Sequence, residues 1–374
     1  MKNKFLGTTA LAVVSTMGVM AMSAGPAQGA DKIKLGVGGY FNAYLVYAEQ
    51  DDGPGQPGAN LRKHKISREG EIRFTGKTTL DNGLIFGVDV QLEAETCGDQ
   101  IDESYIYIQG GFGKLEVGSN DPVTDSMYVG TPQPIPGIGV ATPDQLFSAL
   151  GNGVQTPASI TSISGDSEKL TYFMPRLSGF QLGISYTPEN CEEARGLCTG
   201  TYAGMQSTID VGQQSEVVEV AANYFGKFSG VDVGLYAGIG SANLERTAGG
   251  GDDQEQWGLG LELAYGGFTF GADYRDDNQG TVGPNTDRTD YSLGLAYATG
   301  PWTYGAAYVH GEAEAGAGLG TDETDGYQVG LSYTLGPGIV LTGGITYWDV
   351  QDNLNAVNVV NSATEFIVGT LLSF

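Results

Sequence analysis

From residue 32 to the C-terminus, apolar and polar side chains alternate one for one, and only a β-strand turns every second residue to the same surface. In the first such run Ile33, Leu35, Val37, Phe41, Leu45 and Tyr47 share one face, while Lys32, Lys34 and Asn42 share the other. A second run, His64 to Thr79, sets Ile66, Ile72 and Phe74 against Glu69, Glu71, Arg73 and Lys77. Asp81-Asn82-Gly83 supplies a tight hairpin turn, and Leu84, Phe86, Val88, Val90 and Leu92 return against Asp89, Gln91, Glu93 and Glu95. The last third repeats this unit almost as a meter. Trp257 to Tyr265 turns at Gly266-Gly267 into Phe268 to Tyr274, and Tyr291 to Tyr297 turns at Gly300-Pro301 into Trp302 to Tyr308.

The pattern yields about sixteen strands whose connections alternate short and long. Tight turns fall at one end of the sheet. The other end carries the long connections, of which Ser119 to Lys169 is the longest and is rich in Pro, Gly and Ser. Short turns on one side, long loops on the other and an even strand number characterise transmembrane barrels. Facing polarity points the same way: a soluble barrel turns its apolar face inward, whereas here the polar face carries Gly, Asp, Glu, Asn and Gln, suited to lining water. The apolar face is bracketed by aromatics, as in Trp257 with Tyr265, Tyr291 with Tyr297, and Tyr327 with Tyr333, the spacing of an interfacial girdle. The competing reading is a secreted sandwich with these aromatics in its core. Closure is preferred because it leaves no edge and satisfies every backbone group in lipid. The expected fold is an all-β transmembrane antiparallel up-and-down barrel.

Lys2 and Lys4 precede an apolar run from Phe5 to about Met22 and then a small-residue stretch to Ala30, the order of a secretory signal peptide. The expected division is therefore a signal at 1–30 and one barrel at 31–374, with 119–169 as its longest loop. No later segment approaches the roughly twenty apolar residues of a spanning helix. The formal charge of −26, with 18 Lys and Arg against 44 Asp and Glu, excludes a phosphate-neutralising nucleic-acid binder. Of Cys97, Cys191 and Cys198, the last two flank a short loop; a Cys191–Cys198 bridge and no bridge at all are both compatible with export.

The run Ser67-Arg68-Glu69-Gly70-Glu71-Ile72-Arg73-Phe74-Thr75-Gly76-Lys77, continued by Asp81 to Gly87, resembles the second hairpin of Gram-negative general diffusion porins, especially the alphaproteobacterial type. Glu103 to Ile108 with Gly113 to Gly118 is similar to the family too. The resemblance implies a sixteen-stranded homotrimer in the outer membrane, in contact with its lipid and lipopolysaccharide, passing small hydrophilic solutes. It also implies a third long loop folded inward, with acids facing basic wall residues. The acidic candidates in the loop are Asp121, Asp125, Asp144 and Asp166; strand parity aims Lys34, Lys65, Arg73 and Lys77 inward as the basic candidates, and puts Arg68 on the opposite face. Phe374 matches the terminal aromatic that the outer-membrane assembly machinery reads in such proteins. Thr131-Pro132-Gln133-Pro134-Ile135-Pro136-Gly137 replaces the loop tip of the enterobacterial branch, which leaves the eyelet dimensions open.

Within the loop, Thr142-Pro143-Asp144-Gln145 reads as a helix start, stopped at Gly151, with Leu146, Phe147 and Leu150 as its apolar face and Asp144 near its N-terminus. His64 and His310 are the only histidines. His310 has the outward parity an outer-membrane lipid hydrolase needs, but no serine motif accompanies it. Acidic pairs at Asp51-Asp52, Asp252-Asp253, Asp276-Asp277 and Asp322-Glu323 with Asp325 are candidates for loop-bound calcium or magnesium, against plain solvation of loop tips. No organic cofactor is expected. A solute-specific channel would want an aromatic track in the lumen; most large aromatics sit on the lipid parity, so a general, weakly cation-preferring channel is the expectation.

Overall fold

The computed structural model describes residues 32–94, 101–141, 147–148, 157, 160–190, 214–245, 251–280, 287–314, 320–352 and 359–374. The strands, in order, are β1 Lys34–Gln50, β2 His64–Thr79, β3 Ile85–Glu93, β4 Ile101–Gly110, β5 Gly113–Ser119, β6 Glu168–Phe173, β7 Phe180–Glu189 and β8 Gln214–Phe228. They continue as β9 Val231–Leu244, β10 Gln254–Tyr265, β11 Phe268–Asp277, β12 Arg288–Thr299, β13 Trp302–Glu314, β14 Thr321–Gly336, β15 Ile339–Asp352 and β16 Val359–Ser373. Each pairs antiparallel with its sequence neighbours, and β16 returns to β1, closing a barrel of sixteen strands. At the seam Gly39 and Phe374 exchange both backbone hydrogen bonds at 3.0 Å.

Alternation sets the two surfaces. On β1, Leu35 is 84% exposed and Val37, Leu45 and Tyr47 are exposed, while Asn42, Tyr44, Val46 and Ala48 are buried inside. The apolar side faces out, the inverse of a soluble barrel, and no helix of the described residues is long and apolar enough to cross a membrane. A closed sheet that makes its ladder hydrogen bonds internally and turns its apolar side chains outward has the surface a membrane-crossing barrel needs. Aromatics gather near both rims: Trp302 packs edge-on to Tyr333 at 4.6 Å, and Tyr291, Tyr308, Tyr327 and Tyr347 run side by side across four strands. The predicted turn at Asp81-Asn82-Gly83 forms with Gly83 at φ 83° and the Leu84 N–H donating to Asn82 Oδ1 at 3.1 Å.

The strands are unequal. β3 to β7 are short, from 6 to 10 residues, and most strands of the remaining wall run to between 12 and 17. The 120–167 connection leaves from the short side, between β5 and β6, and its described residues pack inside the barrel. The expected signal segment 1–30, Cys97, Cys191, Cys198, Asp144 and the predicted helix apart from Phe147 and Ser148 lie outside the described residues.

Candidate functional site

The loop leaves β5 through Asn120, Asp121 and Pro122 into a short helix, α1 (Val123–Ser126), which the sequence pattern does not announce although Pro122 stands at its N-cap. It then runs along the inside of the wall from β7 round to β1. Val123 and Met127 pack with Ala221 and Tyr236; Ile135 and Ile138 pack with Tyr44, Val46 and Ile367; Val140 packs with Val309 and Trp348. The wall makes room for it with inward glycines. A Cβ on Gly260 would collide with the Val129 carbonyl, one on Gly271 with the Gly130 carbonyl, and one on Gly330 with the Pro134 carbonyl. On Gly183 it would lie 2.8 Å from Val123, and on Gly305 2.8 Å from Pro134. These glycines, expected to line water, instead form a trough for the loop backbone.

Polar groups of the wall fasten what the trough seats. Asp273 on β11 accepts from Tyr128 Oη at 2.7 Å, from the Thr131 N–H at 2.8 Å, and from Ser292 Oγ. Asn223 Nδ2 donates to Met127 O at 3.0 Å, Tyr236 Oη to Thr124 O at 2.6 Å, Gln328 Nε2 to Ile138 O at 2.9 Å, and Tyr44 Oη to Pro136 O at 3.1 Å. Burial and the neighbouring Asp273 carboxylate push the Tyr128 phenol well above its ordinary range, so it stays a donor.

The opposite wall, β2 to β5, stays open and bounds a cavity of about 660 Å³. Glu71, Arg73, Asp102, Glu103, Tyr105, Lys114, Glu116 and Asp121 line it, with Arg176 from the β6–β7 turn. Its bases are tied to carboxylates of the same wall: Arg73 Nε donates to Asp89 Oδ1 at 2.8 Å, and Lys114 pairs with Glu116 while lying 5.0 Å from the Tyr107 ring centre. Arg176 folds back on its turn, donating to Gly179 O at 2.8 Å and Gln181 Oε1 at 2.6 Å. Carboxylate oxygens of Glu103, Asp121 and Asp166 lie within 4.8 Å of one another, as do those of Glu71, Glu93 and Asp102. Burial first, then Asp125, Asp166 and Glu103, push the Asp121 carboxyl up to about 9.

The candidates named from sequence thus separate. Asp121 and Arg73 line the cavity, and Asp125 and Asp166 sit close enough to Asp121 to act on its charge. Lys65 faces inward with its ammonium 5.5 Å from the centre of the Phe147 ring of the loop. Lys34 and Lys77 stand opposite each other on β1 and β2 at the short-turn end, far along the strand from Tyr44, where the loop touches β1. Arg68 lies exposed on the lipid side beside Ala43. Glu103 and Glu116 were not among the acidic candidates; both are inward positions of predicted strands, a signal that strand parity carries. The acidic loop ends are largely engaged by the protein: Asp277 accepts from Gln254, Gln256 and Arg275, and Asp52 is 3.7 Å from Lys63. His310 Nδ1 is 3.0 Å from Asp325 Oδ1, which also accepts from Tyr308 at 2.6 Å, on the outer face among tyrosines.

The sequence profile of the family described as Gram-negative porin matches residues 8–353. No curated protein sequence matches the chain. Among solved structures, a porin refined at 1.8 Å superposes with a TM-score of 0.55 at 20% identity, covering 91% of this chain and 100% of that one. The trimer form of OmpT from Vibrio cholerae gives 0.61 at 14% identity over 92% and 100% of the two chains. The anion-selective porin of Comamonas acidovorans gives 0.59 at 14% identity, again over 92% and 100%.

Proposed function

The chain belongs to the Gram-negative porin family, and from that premise we propose that its eyelet passes cations in preference to anions. It is an outer-membrane diffusion channel; its fold is shared with an anion-selective porin, so the charge preference rests on this chain's own lining. What supports cations is the lining of the open wall, where Arg73 and Lys114 are held against Asp89 and Glu116 while Glu71, Asp102 and Glu103 leave acids in the majority. A low-dielectric wall lined mainly by one sign of charge focuses the field on the passing ion. Reversal potential in a planar bilayer under a salt gradient tests this. The potential falls on the cation side, and an anion-side value overturns the proposal.

The assembly is read as a homotrimer. The trimer form of the Vibrio cholerae neighbour supports it, as does Arg68, an exposed charge on the lipid parity that a neighbouring subunit would cover. Migration as a monomer in mild detergent would remove this reading. Phe374, exposed at the closed seam, is read as the terminal aromatic recognised by the assembly machinery, and the outward barrel end is assigned to lipopolysaccharide. A lipid hydrolase finds less support: the His310–Asp325 pair is flanked by Tyr291, Tyr308 and Tyr327, which supply no acyl-transfer nucleophile of the serine type.

A further inference from the structure

Two buried charged residues near the loop root touch neither the cavity nor the lipid. Lys169 on β6 is 3% exposed and Glu219 on β8 is 1% exposed. Burying a charge is costly unless every donor and acceptor finds a partner. Here the partners come from the two arms of the loop. The β5–β6 ladder ends at Ser119 opposite Glu168, and beyond it the outgoing and returning arms have no sheet to hold them together. The Lys169 ammonium supplies the first bridge, donating to Asn120 O on the outgoing arm and to Gly165 O at 2.7 Å and Ser167 O at 2.6 Å on the returning arm. The Glu219 carboxylate supplies the second, accepting from Thr124 Oγ1 at 3.0 Å on the outgoing arm, and from the Ile163 N–H at 2.9 Å and Ser164 Oγ at 2.5 Å on the returning arm.

We propose that Lys169 and Glu219 form a two-point clamp across the loop root and are the positioning residues that fix the width of the eyelet. The clamp lies at the residues that present charge to the pore. Asn120, a partner of Lys169, precedes Asp121, which lines the cavity and whose N–H donates to Glu103 at 3.1 Å; Thr124, held by Glu219, precedes Asp125. Displacing either arm moves these carboxyls relative to the open wall. The glycine trough holds the body of the loop, whereas at the root these two side chains, with Ser119 Oγ on Asp166 O, set the spacing of its arms. The inference rests on the channel function and is independent of the sign of its selectivity.

The test is single-channel recording of Lys169→Met, Lys169→Arg, Glu219→Ala and Glu219→Gln, with exclusion of size-graded polyethylene glycols, on protein whose heat-modifiable mobility reports a closed barrel. Hydrogen bonds to a charged group are strong enough that their loss raises the population of a released arm about tenfold or more. Lys169→Met and Glu219→Ala are therefore expected to show about tenfold more frequent current excursions and a shifted exclusion limit. Lys169→Arg, which keeps its donors, stays near the wild type, and Glu219→Gln falls between. Wild-type excursions and exclusion limit in both Lys169→Met and Glu219→Ala overturn the clamp. If those two fail to close, Ser164→Ala removes one Glu219 partner and decides: a smaller shift in the same direction supports the clamp, and none overturns it. Reversal potential, measured alongside, separates this outcome from the cation preference.

Discussion

The wall from β7 round to β1 and the wall from β2 to β5 obey the same alternation but present opposite inner surfaces. The first is paved with glycines, spends its hydrogen-bonding side chains on the loop, the buried carboxylates of Asp273 and Glu219 included, and is covered by it. The second carries Glu71, Arg73, Asp89, Glu103, Lys114 and Glu116 and is left to water. Backbone can approach backbone only where no Cβ intervenes, so the glycines determine on which side the loop lies. The ion pairs determine what the remaining opening feels. One wall places the obstruction, and the other selects.

The sharpest way to break this division is to fill the trough. Gly260→Ala places a methyl against the Val129 carbonyl, which as backbone has no rotamer to yield, and Gly271→Ala does the same at the Gly130 carbonyl. Overpacking of this kind costs about 1–3 kcal/mol. The loop is expected to shift toward the open wall, lowering single-channel conductance and the temperature of the heat-modifiable transition. Gly336→Ala, whose methyl would meet nothing within 4 Å, is the control and leaves both unchanged. Equal behaviour of the three variants would dissolve the distinction between the walls.

Much of this contrast can be read in the sequence, and its limits are physical. Parity along His64 to Thr79 places Arg73 inward and Arg68 outward because register fixes every second side chain once one face meets lipid. The strand number, the Asn82-Gly83 hairpin and the 119–169 interruption follow from the same period. The trough does not, because an inward glycine reads identically whether it faces water or a carbonyl, and Gly260 and Val129 are brought together only by barrel closure. The pairing of Arg73 with Asp89 needs the register of β2 on β3, with Arg73 opposite Gln91 and Asp89 opposite Thr75. From sequence alone Arg73 is one of the basic wall residues facing the loop acids; it lines the cavity with Asp121, and its pairing with Asp89 on its own wall is what the register adds.

An intermediate effect is expected from opening that pair. Arg73→Ala leaves the Asp89 carboxylate uncompensated and moves the reversal potential further toward cations, whereas Asp89→Ala releases the guanidinium and moves it the other way. The two displacements have opposite signs and shrink together as salt is raised, since the screening length falls from about 10 Å at 0.1 M to about 3 Å at 1 M. A shift of the same sign in both variants would mean that they act through barrel geometry instead of charge.

The smallest effect at neutral pH belongs to Asp121, the loop acid that lines the cavity. Its carboxyl is raised to about 9, chiefly by burial and then by Asp125, Asp166 and Glu103, so at pH 7 it is mostly protonated and adds little to the field. Asp121→Asn should therefore leave selectivity almost unchanged at pH 7 and weaken cation preference at a pH of about 10, where the wild-type group is ionised. The stability linkage has a fixed sign. A carboxyl whose folded value lies above its unfolded value of about 3.9 contributes stability in full below that pH and loses it as pH rises through the folded value. The wild type should thus lose heat-modifiable stability between neutral and alkaline pH more steeply than Asp121→Asn. Reversal potentials of the two proteins that differ as much at pH 7 as at pH 10 would return Asp121 to the charged side of the eyelet, and the selecting surface would then extend from the open wall onto the loop.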